Sequence, residues 1–224
     1  MISKSQRAEL LVRHSDPSSL RAHGVSRDVY AQIYEGGAPW EVGRPQPAIV
    51  ELERQGKIRG PVLDVGCGTG DIALHLAARG HEVLGIDFVE AVVEQARAKA
   101  QQQWSKAEFR PFDALELPAL GRTFQTVIDS ATFHTFSDEH RRRYAEALGS
   151  VVAPGAVLYL LCFSDREPYR GGPRHVSEAE IRGCFVEGWD VRSVEETRYQ
   201  TTIVPAGALA WLAEIHRTGG ELDR

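Results

Sequence analysis

The sequence predicts an α/β protein built on a parallel sheet with helices on both faces. Three observations carry this. From Pro61 onward, short apolar runs alternate with helical patterns, the rhythm of repeated β-α units. The runs PVLDV and AVLYLLCF are apolar almost throughout rather than alternating, as strands buried on both faces are. The 224 residues, 42% hydrophobic and 25% charged, are enough for one such domain with a full core and a small cap. Residues 1–57 are expected to form an N-terminal arm and helical cap, and residues 58–224 the sheet domain.

The elements follow in order. The first 25 or so residues are polar and poorly patterned, an expected mobile arm. Residues 26–57 read as helix, interrupted between Gly36 and Pro47 by glycines and prolines. PVLDV is the first strand, and DIALHLAAR a helix closed by Gly80. HEVLGID is a second strand, and FVEAVVEQARAKAQQQ a helix with apolar residues at helical spacing. AEFRPFD and FQTVIDS are the third and fourth strands, DEHRRRYAEALGSVV a helix, and AVLYLLCF the fifth strand. Ser177 and Glu180 make a capping box that opens the helix SEAEIRGCF. WDVRSVEETRYQTT is a sixth strand, and ALAWLAEIHR fits helix or strand equally well by pattern.

Composition narrows the function. A net charge of −5 leaves no electrostatic footprint for nucleic acid, and Arg141, Arg142 and Arg143 read as a solvated helix face. The N-terminal residues lack the apolar core of a signal peptide. The longest apolar stretch, VVAPGAVLYLLCF, contains Pro154 and Gly155 and falls short of the roughly 20 residues of a membrane span. Cys67, Cys162 and Cys184 are odd in number and far apart, so neither a disulfide framework nor a metal site is expected. A cytoplasmic protein acting on a small molecule fits these features. Oligomeric state has no signature in the sequence.

The stretch VLDVGCGTGDIAL carries the most information. Its glycines alternate at Gly66, Gly68 and Gly70. A dinucleotide fingerprint would place its third glycine at residue 71, which is Asp71. A P-loop would need Gly-Lys-Ser/Thr, and no lysine lies between Lys57 and Lys99. Asp64, just upstream, would repel a pyrophosphate and favour a ligand with positive charge. S-adenosylmethionine (SAM), with a sulfonium, an ammonium and no phosphate, meets that requirement. Asp87 closes the second strand, where a carboxylate accepts hydrogen bonds from both ribose hydroxyls; capping the next helix is its other reading. Phe88 is placed beside it at the cofactor. Asp113, after the third strand, is a partner for the adenine amino group with the Ala114 amide beside it, or else an exposed loop acid.

Taken together, DVGCGTG, GID, FDA, DSATFHTF and APGAVLYLLCF resemble the ordered motifs of class I SAM-dependent methyltransferases over residues 61 to about 163. PWEVGRPQP and LLCFSDREP more narrowly resemble the thiopurine-methyltransferase-like group and the bacterial heterocyclic-toxin methyltransferases. The resemblance implies a Rossmann-like fold with a seven-stranded, mostly parallel sheet, closed by ALAWLAEIHR as an antiparallel strand. It also implies methyl transfer from SAM to oxygen, nitrogen or sulfur of a small, heteroaromatic compound, leaving S-adenosylhomocysteine. Branches that methylate amino nitrogens carry [DN]-P-P-[YF] where this chain has Asp129-Ser130-Ala131-Thr132, and the metal-assisted catechol branch needs an asparagine that this chain lacks.

In that fold the loop DSATFHTF lies beside the transferable methyl. His134 is its one side chain that titrates near neutrality, a general base for the acceptor or a residue that packs and orients. Ser130 and Phe133 are placed at the substrate, although Phe133 also suits a core. Asp129 holds the methionine ammonium or caps a neighbouring turn. The resemblance further implies that the segment containing Trp40 and Arg44 closes over SAM, with Arg44 near the methionine carboxylate. Tyr30 and Tyr34, four apart on a helix, share a face that covers the substrate or packs on the domain. The rival readings are an NAD(P)-dependent oxidoreductase and a non-catalytic SAM-binding module.

Overall fold

The computed structural model describes residues 21–169 and 172–219. Two helices, α1 (Arg27–Glu35) and α2 (Pro47–Arg54), precede the sheet. Three β-α units and part-units follow as β1 (Val62–Val65), α3 (Asp71–Ala77), β2 (Val83–Asp87), α4 (Glu90–Gln102) and β3 (Glu108–Pro111). Next come β4 (Phe124–Ser130), α5 (Asp138–Leu148), β5 (Val152–Phe163) and α6 (Glu178–Cys184), and the chain closes with β6 (Trp189–Tyr199) and β7 (Ala208–Arg217). Short 3₁₀ segments occupy Ala114–Leu120 and Phe133–Thr135.

The sheet order is β3-β2-β1-β4-β5-β7-β6. Its first five strands are parallel, and β7 runs antiparallel between β5 and β6. ALAWLAEIHR is therefore a strand, and tertiary pairing decides what its pattern left open. The order reverses at β1, between β2 and β4, and the crevice at such a reversal is where ligands of open α/β sheets bind.

Each central strand feeds two cores, because successive side chains point to opposite faces. Leu63, Val65 and Val127 pack with Tyr144 and Leu148 of α5. Val62 and Ile128 pack with Leu74 and Leu76 of α3 and Val93 of α4. That two-sided burial is why these strands read as continuous apolar runs. Ile49 and Leu52 of α2 join the second core, so α2 is packed onto the sheet. Burying aliphatic side chains of this size contributes about 1.5–3 kcal/mol each.

Several boundaries differ from expectation. β5 begins at Val152, before the Pro154-Gly155 pair. Those two residues bulge outward, exposed, and pairing with β4 jumps from Val152 to Val157. Accordingly α5 stops at Leu148, capped by Gly149. Arg141 is not part of a solvated face: it is 1% exposed, with Nε donating to the Phe133 carbonyl at 3.2 Å. The arm expected over the first 25 residues lies, to residue 20, outside the described residues. Beyond it, the Val25 amide donates to the Thr135 carbonyl at 3.0 Å, so residues 21–25 meet the turn after β4.

Candidate active site

A cavity of about 440 Å³ opens at the carboxyl ends of β1, β2 and β4. The glycine loop forms its floor. Cys67 N–H donates to the Ile86 carbonyl at 2.9 Å, tying the loop to β2. A side chain at Gly66 would collide with the Thr132 hydroxyl, which donates to the Val65 carbonyl at 2.9 Å, and the φ of +68° at Gly66 also favours glycine. Gly70 does a different job. It is the N-cap of α3, and a Cβ there would sit 2.8 Å from the Phe109 ring. Gly66 and Gly68 line the cavity, whereas Gly70 lets α3 pack on the sheet.

Asp64 lies at the cavity's base, 1% exposed, and neither carboxylate oxygen makes a hydrogen bond. Burial pushes its pKa up to about 7 against the pull of the Ala73 amide. A buried carboxylate without a partner is costly unless a cation or donor meets it. Asp87 differs: Oδ2 accepts from Gly68 N–H at 3.2 Å and Oδ1 from Val89 N–H at 2.9 Å. Burial raises its pKa while those amides oppose the shift. Each oxygen keeps lone pairs toward the cavity for further donors. Phe88 lies beneath the Arg27 guanidinium, 5.3 Å from its ring centre, and Arg27 also reaches Asp113 at 3.9 Å. Asp113 accepts from the Leu115 amide at 2.9 Å, and Ala114 shares its stretch of wall.

The segment before the sheet makes the roof. Tyr30, Tyr34 and Trp40 form a ring cluster with centroids 5.6–5.7 Å apart, and Trp40 Nε1 donates to the Tyr34 hydroxyl at 3.0 Å. Arg44 lines the cavity from the same segment. Glu41, which sequence reasoning missed, accepts hydrogen bonds from the Thr69 hydroxyl and amide in the glycine loop. Gln46 was missed too; it exchanges two hydrogen bonds with the Gln200 backbone just past β6. Neither residue carries a local signal, since its partner is remote in sequence.

The loop after β4 divides its residues between cavity and core. Ser130, Ala131, Thr132 and His134 line the cavity, and Ala131 holds a φ of +75°, a strained conformation of the kind found at functional loops. Asp129 and Phe133 sit behind the wall. Asp129 is fully buried and accepts from the Thr132 and Phe133 amides and, at 2.9 Å, from the Tyr144 hydroxyl. Its acceptors are spent on building the turn, although burial still raises its pKa to about 6. Phe133 packs between Phe185, at 5.8 Å, and the Arg141 guanidinium, at 4.7 Å.

His134 is 2% exposed and packs at a tilt against the Phe163 ring, centroids 4.8 Å apart. Its Nδ1 accepts a hydrogen bond from the Phe163 amide at 3.1 Å. Burial, with the charge of Arg141 and the proximity of His175, pushes its pKa down to about 3. The ring is neutral at physiological pH. Phe163 and Tyr199, also unforeseen, complete an aromatic wall beside it, their rings 5.5 Å apart and edge-to-face.

Residues 62–155 match the family model described as Methyltransferase domain. The chain is 34% identical over 183 residues to the 2-heptyl-1-hydroxyquinolin-4(1H)-one methyltransferase of Mycobacteroides abscessus, covering 77% of this chain and 81% of that relative. This chain belongs to the class I SAM-dependent methyltransferases. A solved structure described as "Conversion of a Disulfide Bond into a Thioacetal Group during Echinomycin Biosynthesis" superposes on the methyltransferase with a TM-score of 0.80 and 34% identity, covering 87% of this chain and 93% of that one. Magnesium protoporphyrin IX methyltransferase from Synechocystis PCC 6803, with bound SAM, shares the fold at a TM-score of 0.60 and 20% identity, covering 97% of this chain and 100% of that one.

Family membership makes the methyltransferase an enzyme that methylates small molecules with SAM, and sets aside the oxidoreductase and non-catalytic readings. The cavity fits that cofactor on its own evidence. Glu41, Asp64, Asp71, Asp87 and Asp113 face it against Arg27 and Arg44, a balance suited to a cation, and a cation would draw the buried Asp64 carboxyl back to its charged form. Among the described residues, no group of His, Cys, Asp or Glu is arranged to hold a metal ion, and no helix is long and apolar enough to cross a membrane.

Proposed function

We propose that this methyltransferase methylates a planar heteroaromatic compound at a ring-borne oxygen, nitrogen or sulfur. The observation that carries the reading is the aromatic lining of the cavity. Phe163, Tyr199, Tyr30 and Trp40 line it with apolar ring surface, on which a planar ring can pack offset-stacked or edge-to-face. The Mycobacteroides abscessus relative acts on a hydroxyquinolinone, which supports the same class of acceptor. SAM supplies a methyl already activated by its sulfonium.

The chain's own residues bind, orient and exclude water. Asp87 accepts from the ribose, and Asp113 with the Ala114 amide meets the adenine beside Phe88. Gly66 and Gly68 let the cofactor approach the backbone, and Asp64 balances its positive charge. Arg44 meets the methionine end from above, and Trp40 closes the segment over both the methionine end and the acceptor. Residues 26–46, with Glu41 seated on Thr69, act as a lid over both ligands, so alignment and dryness supply most of the rate. Asp129 and Phe133 support the floor from behind without touching ligand.

The test is a panel of hydroxyquinolones, phenols, azoles and thiols incubated with SAM, following S-adenosylhomocysteine release and the mass of the methylated product. Turnover concentrated among fused heteroaromatics is expected. Exclusive turnover of alkyl thiols overturns the reading.

A further inference from the structure

We infer that His134 presents an Nε2–H donor to the methyl acceptor, and that the enzyme therefore selects acceptors that are already anionic. The inference rests on the proposed heteroaromatic acceptor and adds what the site demands of it. The geometry begins with the Phe163 amide, the last of β5. It is buried and must find an acceptor, and it finds His134 Nδ1 at 3.1 Å. A neutral imidazole has one donor and one acceptor nitrogen. With the Nδ1 lone pair engaged, the ring proton sits on Nε2, the nitrogen left to face the cavity that His134 lines.

A general base needs the opposite tautomer. Its lone pair would be on Nε2 and its proton on Nδ1, where that proton would point at the N–H of Phe163. Accepting a proton on Nε2 instead would create an imidazolium in a buried pocket beside the Arg141 guanidinium and His175. The same surroundings hold the neutral form at working pH. Of the two roles the sequence left open for His134, general base or orienting residue, this favours the second.

A donor aimed at the acceptor does different work. It stabilises the anion of a heteroaryl hydroxyl and lowers the acceptor's pKa in the site. The acceptor's proton leaves to solvent before transfer. The oxygen lone pair then forms the C–O bond while the methyl–sulfur bond breaks and leaves its electron pair on sulfur. No proton remains to be moved, and an acceptor that stays protonated is a poor substrate.

Two arms test this. In the first, ¹⁵N NMR of the ligand-free protein reads the His134 tautomer from pH 5 to 8. Protonated Nε2 with bare Nδ1 throughout is expected; protonated Nδ1 overturns the inference. This arm needs no acceptor, so it stands or falls apart from the heteroaromatic reading. In the second, kcat–pH profiles, which report ionisation in the bound complex, are measured at saturating SAM and acceptor for hydroxy-heteroaromatics of graded acidity. The ascending limb should track each acceptor's own pKa and lie below its value in free solution. His134→Leu should raise that limb by about one pH unit and lower the rate below it roughly tenfold to a hundredfold, the scale of a hydrogen bond to a charged group. His134→Gln, which keeps an N–H donor and cannot act as a base, should restore most of the loss. Unchanged S-adenosylhomocysteine affinity certifies that each variant is folded. A limb at one fixed pH for every acceptor, abolished in both variants, means His134 is a base and overturns the inference.

Discussion

The glycine-loop wall of the cavity comes from residues that follow three neighbouring strands, whereas the aromatic wall draws Tyr30, Trp40, Phe163 and Tyr199 from separate regions of the chain. The first wall is made of backbone amides and carboxylates whose positions the sheet register sets. The second is made of rings held by one another. A methyltransferase built this way can change its acceptor by exchanging rings while the floor stays as it is. Errors in the floor should cost cofactor binding; errors in the aromatic wall should cost chiefly acceptor selectivity.

The hardest way to break this comparison is Gly66→Ala. The new methyl would press on Thr132 in a backbone conformation that alanine resists, costing about 3 kcal/mol and roughly a hundredfold in SAM affinity. Calorimetry should show that loss while circular dichroism stays native. Near-native affinity would mean the loop is more yielding than its contacts indicate. Asp87→Ala comes next, at about 1.5–3 kcal/mol of cofactor binding, with the acceptor's KM at saturating SAM unaltered. A change confined to acceptor KM would reverse the assignment of the two walls.

Asp64 sharpens the comparison through pH. Its folded pKa, about 7, lies above the usual 3.8. The ligand-free fold therefore binds more protons than the unfolded chain, and this contribution to stability, full below about pH 4, is lost as pH rises through 7. Asp87 and Asp129 shift the same way, so the difference between proteins isolates Asp64. Asp64→Asn should be more stable than the native protein at pH 8 by about 1–3 kcal/mol, equal to it near pH 4, and weaker in binding SAM. Thermal melts at both pH values, with and without cofactor, read all three. The smallest effect is expected of Arg27→Ala, since both the ion pair with Asp113 and the contact with Phe88 are partly solvated. A loss of about 0.5–1 kcal/mol in cofactor affinity is expected, with faster amide exchange over residues 26–46 in the SAM complex. Unchanged exchange there would show that Arg27 does not help hold the roof down.

The two walls also differ in how far the sequence revealed them. Gly66, Gly68, Asp64 and Asp87 stand beside their strands, and strand, turn and helix periodicities are local. Spacing alone cannot tell a glycine under a ligand from one such as Gly70, which lies under the Phe109 ring. Asp129 and Phe133 share the cavity's loop in sequence, yet Asp129, still within β4, spends its carboxylate on the Thr132 and Phe133 amides, and the 3₁₀ turn carries the Phe133 ring into the core. Glu41, Gln46, Phe163 and Tyr199 went unnoticed because each acquires its role from a residue far away in sequence. The two readings of ALAWLAEIHR were separated only by its pairing with β5 and β6.

The bond from Val25 to the Thr135 carbonyl has a consequence for the sequence of events in turnover. Gly24 packs against Thr135 and Ser137 so closely that a methyl group there would lie 2.8 Å from their backbone atoms. The roof is thus fastened to the turn that carries His134. Raising it to exchange spent cofactor for fresh pulls on that turn and loosens the seat of the acceptor. An ordered cycle is the expected outcome: cofactor first on, product of methylation first off, S-adenosylhomocysteine last. Competitive inhibition by S-adenosylhomocysteine against SAM, and noncompetitive inhibition against the acceptor, is the steady-state signature of that order.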